Sequence, residues 1–426
     1  MKTQKILSLT AIGCGSRTRT YFELAARQPH RYRLLAAADL VPERLAQVRE
    51  LSKNQDFKIY NSAEELLAQP KLADVLVIGT QDHYHFEPCM AAMKKGYDIL
   101  LEKPIAPTLA EVLKLESEAR RLGRKVLVCH VLRYSPFYQK IKEIILSGVL
   151  GEIQTIDAVE GTGAWHQAHS FVRGHWAVSE KSSPMIVAKC CHDMDIIAWL
   201  MNSPCRVLSS FGNLSHFNGA HAPEGAPERC TEGCPAAASC AYDARLYTTK
   251  HRAWLKHVFD GGEEASDEEI IEWLGHSPWG RCVYRCQNNV VDHQVIAMQF
   301  ENRATATFTM TAFDSGRTLS IHGSKGDLRG GDFYKKNGCA EIVIQNHSNQ
   351  QKTMIQIESE IGGYGGHGGG DPGLVNALYE EMQKSSAEEM TSSITQSLQS
   401  HLMAFAAEES RVTGQTIDLN AFRERV

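Results

Sequence analysis

Lys5-Ile6-Leu7-Ser8-Leu9-Thr10-Ala11-Ile12-Gly13-Cys14-Gly15-Ser16-Arg17 reads as a short apolar strand broken by a glycine pair. Glycines at such a turn let the backbone approach a pyrophosphate. A helix starting there, expected to run to about Gln28, presents free N–H groups and the positive end of its dipole. The third glycine of a G-x-G-x-x-G turn is absent, because position 18 is Thr. A second strand, Tyr32–Ala38, is closed by Asp39, which stands 26 residues beyond Gly13. A carboxylate there accepts from both ribose hydroxyls and repels a 2′-phosphate, so NAD is expected over NADP.

Outward from this unit the alternation of strands and helices continues. Pro42 suits the first turn of a helix to Leu51. Ser62-Ala-Glu-Glu65 and Thr108-Leu-Ala-Glu111 are capping boxes that open two more helices. Strands are expected at Val75–Ile78, Asp98–Leu101 and Lys125–Cys129, with a helix at Phe86–Lys95. Strands separated by helices of this length imply a doubly wound parallel sheet of the Rossmann type over residues 1–130.

From about residue 131 the pattern changes. After a helix at Ser135–Leu146 come alternating strands at Gln154–Glu160, Val207–His216, Gln294–Phe300, Ala304–Thr311 and Thr318–His322, with a helix at about Ile186–Leu200. Residues 131–426 are therefore expected to form an open, mostly antiparallel α+β domain with helices on one face. Helices close the chain at about Pro372–Lys384 and Ser392–Thr413, and residues 217–290 read as an insertion.

Composition excludes several classes. The 426 residues carry 45 Lys plus Arg against 50 Asp plus Glu, a net charge of −5. No dense basic run exists, so nucleic acid is a poor partner, and no apolar stretch is long enough to span a membrane. The start loosely mimics a signal peptide, but Ser8 and Thr10 interrupt a run already short for one. A buried first strand explains it better, and a cytoplasmic protein is expected.

The chemistry-bearing residues gather at strand ends. Gly79, Thr80, Asp82, His83 and His85 follow the fourth strand, and Glu102-Lys103-Pro104 follows the fifth. Ligands of such sheets bind beyond these carboxyl ends. On the predicted helix Ile186–Leu200, Lys189, His192 and Asp193 share a face, and Asp195 is placed to hydrogen-bond His192 and fix its tautomer. A histidine beside an acid can act as general base near neutral pH.

Gly13-x-Gly15-x-Arg17, the Thr80–His85 segment, Glu102-Lys103-Pro104 and His192-x-x-Asp195 together resemble the Gfo/Idh/MocA family (glucose–fructose oxidoreductase, inositol 2-dehydrogenase and the rhizopine-catabolism protein). The resemblance covers nearly the whole chain outside the insertion. It implies a cofactor site at Gly13, Cys14, Gly15, Ser16, Arg17, Asp39, Gly79, Thr80, His85, Glu102 and Lys103. It implies Lys103 beside nicotinamide and substrate, and His192 as proton acceptor. Many members carry an Asp four residues before that histidine. Here the position is Ala188, and the neighbouring Lys189 is expected at the substrate instead. Arg133 and Tyr134 follow the sixth strand, where relatives place cofactor or substrate contacts. Trp165, His166, His175 and Trp176 mix apolar faces with hydrogen-bonding groups, as suits a sugar. His367 is a further candidate, with Asp371 expected as the N-cap of the helix after it.

These features imply an NAD-dependent oxidoreductase acting on a secondary hydroxyl of a sugar, glycoside or polyol. A second reading is an NAD-dependent glycosidase working by transient oxidation, elimination and re-reduction, and a third is a non-catalytic sugar-responsive regulator. Retention of both Lys103 and His192 argues against the third. The open sheet is expected to make the chain a homo-oligomer, a dimer or tetramer. Within the insertion, Cys230, Cys234 and Cys240, with Cys286 favoured over Cys282 as the fourth ligand, are expected to hold a structural zinc rather than an iron–sulfur cluster, because their Pro/Gly-rich surroundings lack a hydrophobic period of their own; free thiols are the alternative.

Overall fold

The structure is a computed structural model and describes residues 5–336, 339–358 and 367–426. Six strands come first: β1 (Leu7–Ile12), β2 (Tyr32–Ala38), β3 (Lys58–Tyr60), β4 (Val75–Ile78), β5 (Asp98–Leu101) and β6 (Val126–Val128). They lie in the order β3-β2-β1-β4-β5-β6, every neighbouring pair parallel. β4, β5 and β6 are almost wholly buried, as parallel strands covered on both faces must be. Local chemistry sets the helix ends. Pro42 opens Pro42–Ser52, and the Thr108 hydroxyl accepts from Glu111 N–H at 3.3 Å to start Leu109–Leu122, which stops at left-handed Gly123. At Ser62 only half the capping box closes: its hydroxyl accepts from Glu65 N–H at 3.2 Å, but the Glu65 carboxylate accepts from Asn61 N–H at 2.9 Å.

A second sheet holds β7 (Ile153–Thr162), β8 (Cys205–Asn213), β9 (His293–Phe300), β10 (Thr305–Thr311), β11 (Ser315–Gly323), β12 (Gly326–Lys336), β13 (Cys339–Asn346), β14 (Lys352–Glu358) and β15 (Ile417–Asp418). Its order among the described residues is β14-β13-β12-β11-β7-β10-β9-β8-β15, antiparallel except where β10 meets β7. In β9 buried and exposed positions alternate, because successive side chains point to opposite faces. One face packs on helices Cys191–Met201 and Ile394–Thr413, while Phe211, Val295 and Met354 stand exposed.

Two elements depart from the sequence reading. The helix expected at Ile186–Leu200 is two helices, Met185–Ala188 and Cys191–Met201, with Lys189 and Cys190 between them. The two helices after Gly369 also return to the first sheet. Leu374, Val375 and Tyr379 join its core beside Tyr32, and Ile394 and Leu398 pack with Val112 and Val128.

The insertion has a core that its sequence hides. Tyr247, Leu255, Ile270, Leu274 and Trp279 cluster with Cys230, and Trp273 stacks on both Phe259 and Trp279. The expectation of a coreless stretch is corrected. Side chains widely spaced in sequence meet in space, so no period betrays them. Among the described residues no helix is long and apolar enough to cross a membrane.

Candidate active site

A cleft of about 2270 Å³ opens beyond the carboxyl ends of β1, β2, β4 and β5 and is floored by the second sheet. Its first-domain wall is the glycine turn. Gly13 has φ +82°, and a Cβ there would lie 2.7 Å from the Thr80 nitrogen, so only glycine fits. Gly15 caps helix Ser16–Ala26, whose first turn carries no acid, and a Cβ at Gly15 would meet nothing within 4 Å. The helix start, with Ser16 on the cleft wall, is thus open to an anion. Thr18 explains the missing third glycine. It is buried, its hydroxyl donates to Gly13 O at 2.5 Å, and the space it needs comes from Gly79, where a Cβ would stand 2.2 Å from that hydroxyl. Asp39 is aimed by two backbone bonds: Oδ2 accepts from Cys14 N–H at 2.6 Å and Oδ1 from Val41 N–H at 2.8 Å. Glycine cradle, open helix terminus and rim carboxylate suit a dinucleotide.

Other residues of that group brace the wall, with Arg17 and Glu102 at its cleft surface. The Cys14 thiol is buried, pushed up to about 12, and leaves the backbone as the useful part of this residue. Arg17, on the cleft wall, gives its Nε to Glu102 Oε1 at 3.0 Å and its Nη1 to Asp371 Oδ2 at 3.1 Å, a bridge between the two ends of the chain. Glu102 also accepts from Tyr21 and from Lys103 N–H. The His85 ring nitrogens face Pro104 O at 2.8 Å and Thr80 O at 3.1 Å, tying two loops together.

The broken helix builds the reactive corner. The interruption after Ala188 frees its carbonyl, and Lys103 Nζ donates to it at 2.9 Å. That bond anchors the ammonium on the cleft wall, where His192 and His367 also stand. Burial, with Lys103 and His367 adding to it, holds the His192 imidazole well below its usual range, so it rests in the neutral form. Its Nδ1 is buried without a hydrogen-bond partner among the described residues. The His192 and His367 rings lie 5.4 Å apart, and His367 Nδ1 contacts Asp371 Oδ2 at 3.2 Å. Burial opposes ionisation of Asp371, but His367 and Arg17 outweigh it and hold the carboxyl well below the carboxylate range. Asp371 is therefore not the expected N-cap, a place taken by Gly369; it lies inside helix Gly370–Gln383.

Several expectations are corrected here. Asp195 does not orient His192; it is fully buried and held by Arg133, Nε to Oδ2 at 2.7 Å and Nη2 to Oδ1 at 2.6 Å. A bidentate guanidinium outcompetes an imidazole for the carboxylate. Arg133 is itself buried, and Tyr134 OH bonds Ser392 Oγ at 2.9 Å, so neither lines the cleft. Trp165 stacks on His251 at 3.7 Å instead of facing the cleft. His175 does line it, beside Trp176 and Trp279. Lys189 lines it as well, paired to Glu160 Oε1 at 2.8 Å, while Asp193 Oδ1 accepts from Arg317 Nε at 2.7 Å.

Glu160 and Arg317 escaped the sequence reading. They are cross-strand partners on β7 and β11, and the strand pairing that joins them is not visible in either strand alone. Trp254 and Trp279 reach the cleft from the insertion, where nothing in the pattern placed them near the site.

The zinc expectation is also corrected. Among the described residues no three His, Cys, Asp or Glu side chains stand as ligands of one metal ion. Cys286 turns its thiol to Cys282 O at 3.3 Å, while Cys282 joins Cys230, Cys234 and Cys240 around a separate small cavity.

The class these features define is a two-domain NAD(P)-binding oxidoreductase. Residues 8–130 match the family model described as "Oxidoreductase family, NAD-binding Rossmann fold", and residues 142–419 match its "C-terminal alpha/beta domain". The chain belongs to the Gfo/Idh/MocA oxidoreductase family. It is similar to the protein YteT of Bacillus subtilis, with 26% identity over 385 residues, 86% of this chain and 87% of that one. It is 26% identical over 168 residues to an inositol 2-dehydrogenase/D-chiro-inositol 3-dehydrogenase of Lactiplantibacillus plantarum, 39% of this chain and 44% of that one. Its fold matches an Agrobacterium radiobacter oxidoreductase solved with NAD+, L-tartaric acid and magnesium, at TM-score 0.70 and 14% identity over 98% of this chain and 100% of that one. It also matches levoglucosan dehydrogenase solved with NADH and levoglucosan, at TM-score 0.68 and 16% identity over 97% and 99%.

Proposed function

We propose that this protein oxidises a secondary hydroxyl of a sugar, glycoside or polyol with NAD, using Lys103 and His192. The observation that carries the reading is that both side chains open onto the cleft that also holds the Gly13–Gly15 turn and Asp39. When bound, the cofactor supplies the hydride acceptor. His192, neutral and buried, takes the hydroxyl proton. The Lys103 ammonium, anchored on Ala188 O, polarises the same oxygen and stabilises its developing negative charge. His367 and Lys189 are the next groups a substrate hydroxyl would meet. Aromatic walls from Trp176, Trp254 and Trp279 suit the apolar face of a sugar ring, and two of the relatives are an inositol dehydrogenase and a levoglucosan dehydrogenase. The dinucleotide-binding unit is assigned to residues 1–130 and the substrate-binding unit to residues 131–426.

A panel of sugars, polyols and chromogenic glycosides incubated with NAD tests the reading. NADH build-up with free sugars or polyols is expected. Aglycone released without NADH would instead mean oxidation, elimination and re-reduction at the same groups. Neither product from any member of the panel would overturn the assignment.

Asp39 supplies a further expected result. Asp39→Ala should weaken NAD binding and favour NADP relative to wild type, because the variant loses the ribose hydrogen bonds and the repulsion of a 2′-phosphate. Fluorescence titration with both cofactors measures this, and a wild type that binds NADP more tightly would refute the role.

A further inference from the structure

A row of rings lines the cleft: His166, Trp254, His169, Trp279, His175 and Trp176. Successive ring centroids along it are 5.0, 5.0, 6.0, 5.5 and 6.3 Å apart. The row starts at the reactive corner, because burial and then the charges of Lys189, His169 and Lys103 hold the His166 imidazole well below its usual range. The insertion supplies Trp254 and Trp279, and the segment after β7 supplies the other four. Trp254 and Trp176 are half-buried, so each still offers ring surface to the cleft. A second layer holds the row in place. Trp273 stacks on Trp279 with centroids 5.6 Å apart, and the Trp279 indole N–H donates to His169 O at 3.1 Å. The turn Arg252–His257 that carries Trp254 is tied down by Arg252, whose Nη1 donates to Ala265 O at 2.6 Å. A wall fixed before binding costs little to order when a ligand arrives.

A second observation concerns charge at the corner itself. Lys189 pairs with Glu160 at 2.8 Å, Arg317 with Glu160 at 2.9 Å and with Asp193 at 2.7 Å, and Arg17 with Glu102 and Asp371. The Lys103 ammonium, on Ala188 O, serves the reacting oxygen. The His166 and His192 rings rest neutral. A carboxylate or phosphate on the reacting ring would therefore be buried without a cation left to pair it among the described residues, a costly placement. Hydroxyls fare better, because paired ions keep spare N–H donors and lone pairs for them.

We propose that the insertion builds a second sugar subsite on Trp254 and Trp279, and that the substrate is a glycoside of at least two sugar rings whose reacting ring is uncharged. The proposal rests on the reading that the protein oxidises a sugar hydroxyl at Lys103 and His192. The reacting ring is held by the polar corner, its hydroxyl on His192 and Lys103 and its rim on Lys189 and His367. One ring seated there cannot also cover a row of this length. The next ring lays its apolar C–H face on the Trp254 indole, and its hydroxyls point to the open side of the cleft. Aromatic side chains with a few placed polar groups are the usual lining of such a site.

The test gives the full chain and NAD two sets of probes: methyl glycosides of glucose, galactose and rhamnose, and methyl glycosides of disaccharides built from the same sugars. Turnover is followed kinetically, and binding is followed separately by saturation-transfer NMR. The two-ring probes should gain about tenfold or more in kcat/KM, chiefly through KM, because the second ring adds binding that the reaction itself does not use. Trp254→Ala should cut that advantage by about tenfold, Trp254→Phe should keep most of it, and NAD titration reports that each variant is folded. Methyl glucuronide should be a poorer substrate than methyl glucoside. Equal kcat/KM for one and two rings, an advantage unchanged in Trp254→Ala, or preference for the glucuronide would each overturn the proposal. Disaccharide binding that Trp254→Ala abolishes, with no turnover of any probe, would support the subsite and count against the oxidation reading. Neither binding nor turnover of any two-ring probe would overturn the subsite.

Discussion

Lys103→Ala and His192→Ala should each lower turnover by about 10²-fold or more, the scale on which positioned acid–base groups act. The two losses have different origins. Without the Lys103 ammonium the reacting oxygen loses its fixed positive partner, and Ala188 O loses its donor. Without His192 the hydroxyl proton has no buried acceptor, because the nearby His130 is shut in the core and His367 is turned to Asp371. Neither substitution touches the Gly13–Gly15 turn or Asp39, so NAD affinity should stay near that of the wild type. Steady-state kinetics on a substrate found in the panel, together with cofactor titration, reads both quantities. Near wild-type turnover in either variant would remove that residue from the reaction.

Mild acid should destabilise the protein well before carboxylates titrate. Burial holds His130, His166, His192 and His401 below their usual range, with neighbouring cations or histidines adding to it, and His401 falls to about 3. In the unfolded chain each takes up a proton as pH falls through about 6.5, while the folded form does not. The unfolded state then binds more protons, so stability is lost as pH falls. Each such histidine contributes up to about 1.4 kcal/mol per pH unit below that point. Four together amount to several kcal/mol by pH 5, a large part of a typical folding free energy. Melting temperatures between pH 8 and pH 4.5 should be flat above about 7 and fall steeply below about 6.5. His130→Phe removes a ring whose two nitrogens have no hydrogen-bond partner among the described residues and should make the fall shallower. A melting temperature unchanged down to pH 5 would contradict the buried neutral state of these rings.

The first domain was legible because its signals are local. A glycine pair after an apolar run, Pro42 at a helix start and Thr108 as a cap each act within a turn of the backbone, and each stands where expected. The alternation of β9 and β10 was legible for the same reason, since a pleated strand imposes its period on its own residues. Lys103 and His192 could be picked out because each lies in a short motif.

What surrounds them was decided by tertiary packing. Whether Asp195 serves His192 or Arg133 depends on a residue 62 positions away. The carboxylate partners of Arg17 are 85 and 354 positions away. Glu160 meets Arg317 only because β11 pairs with β7, and Ala188 O is free for Lys103 only because the helix breaks there. Buried charges must find partners wherever the fold brings them, and no local pattern encodes that choice. The cysteines illustrate both halves. Their presence in one segment was plain from the sequence, but the choice of Cys282 over Cys286 at the cavity came only with the fold, because a thiol's direction is set by the backbone around it.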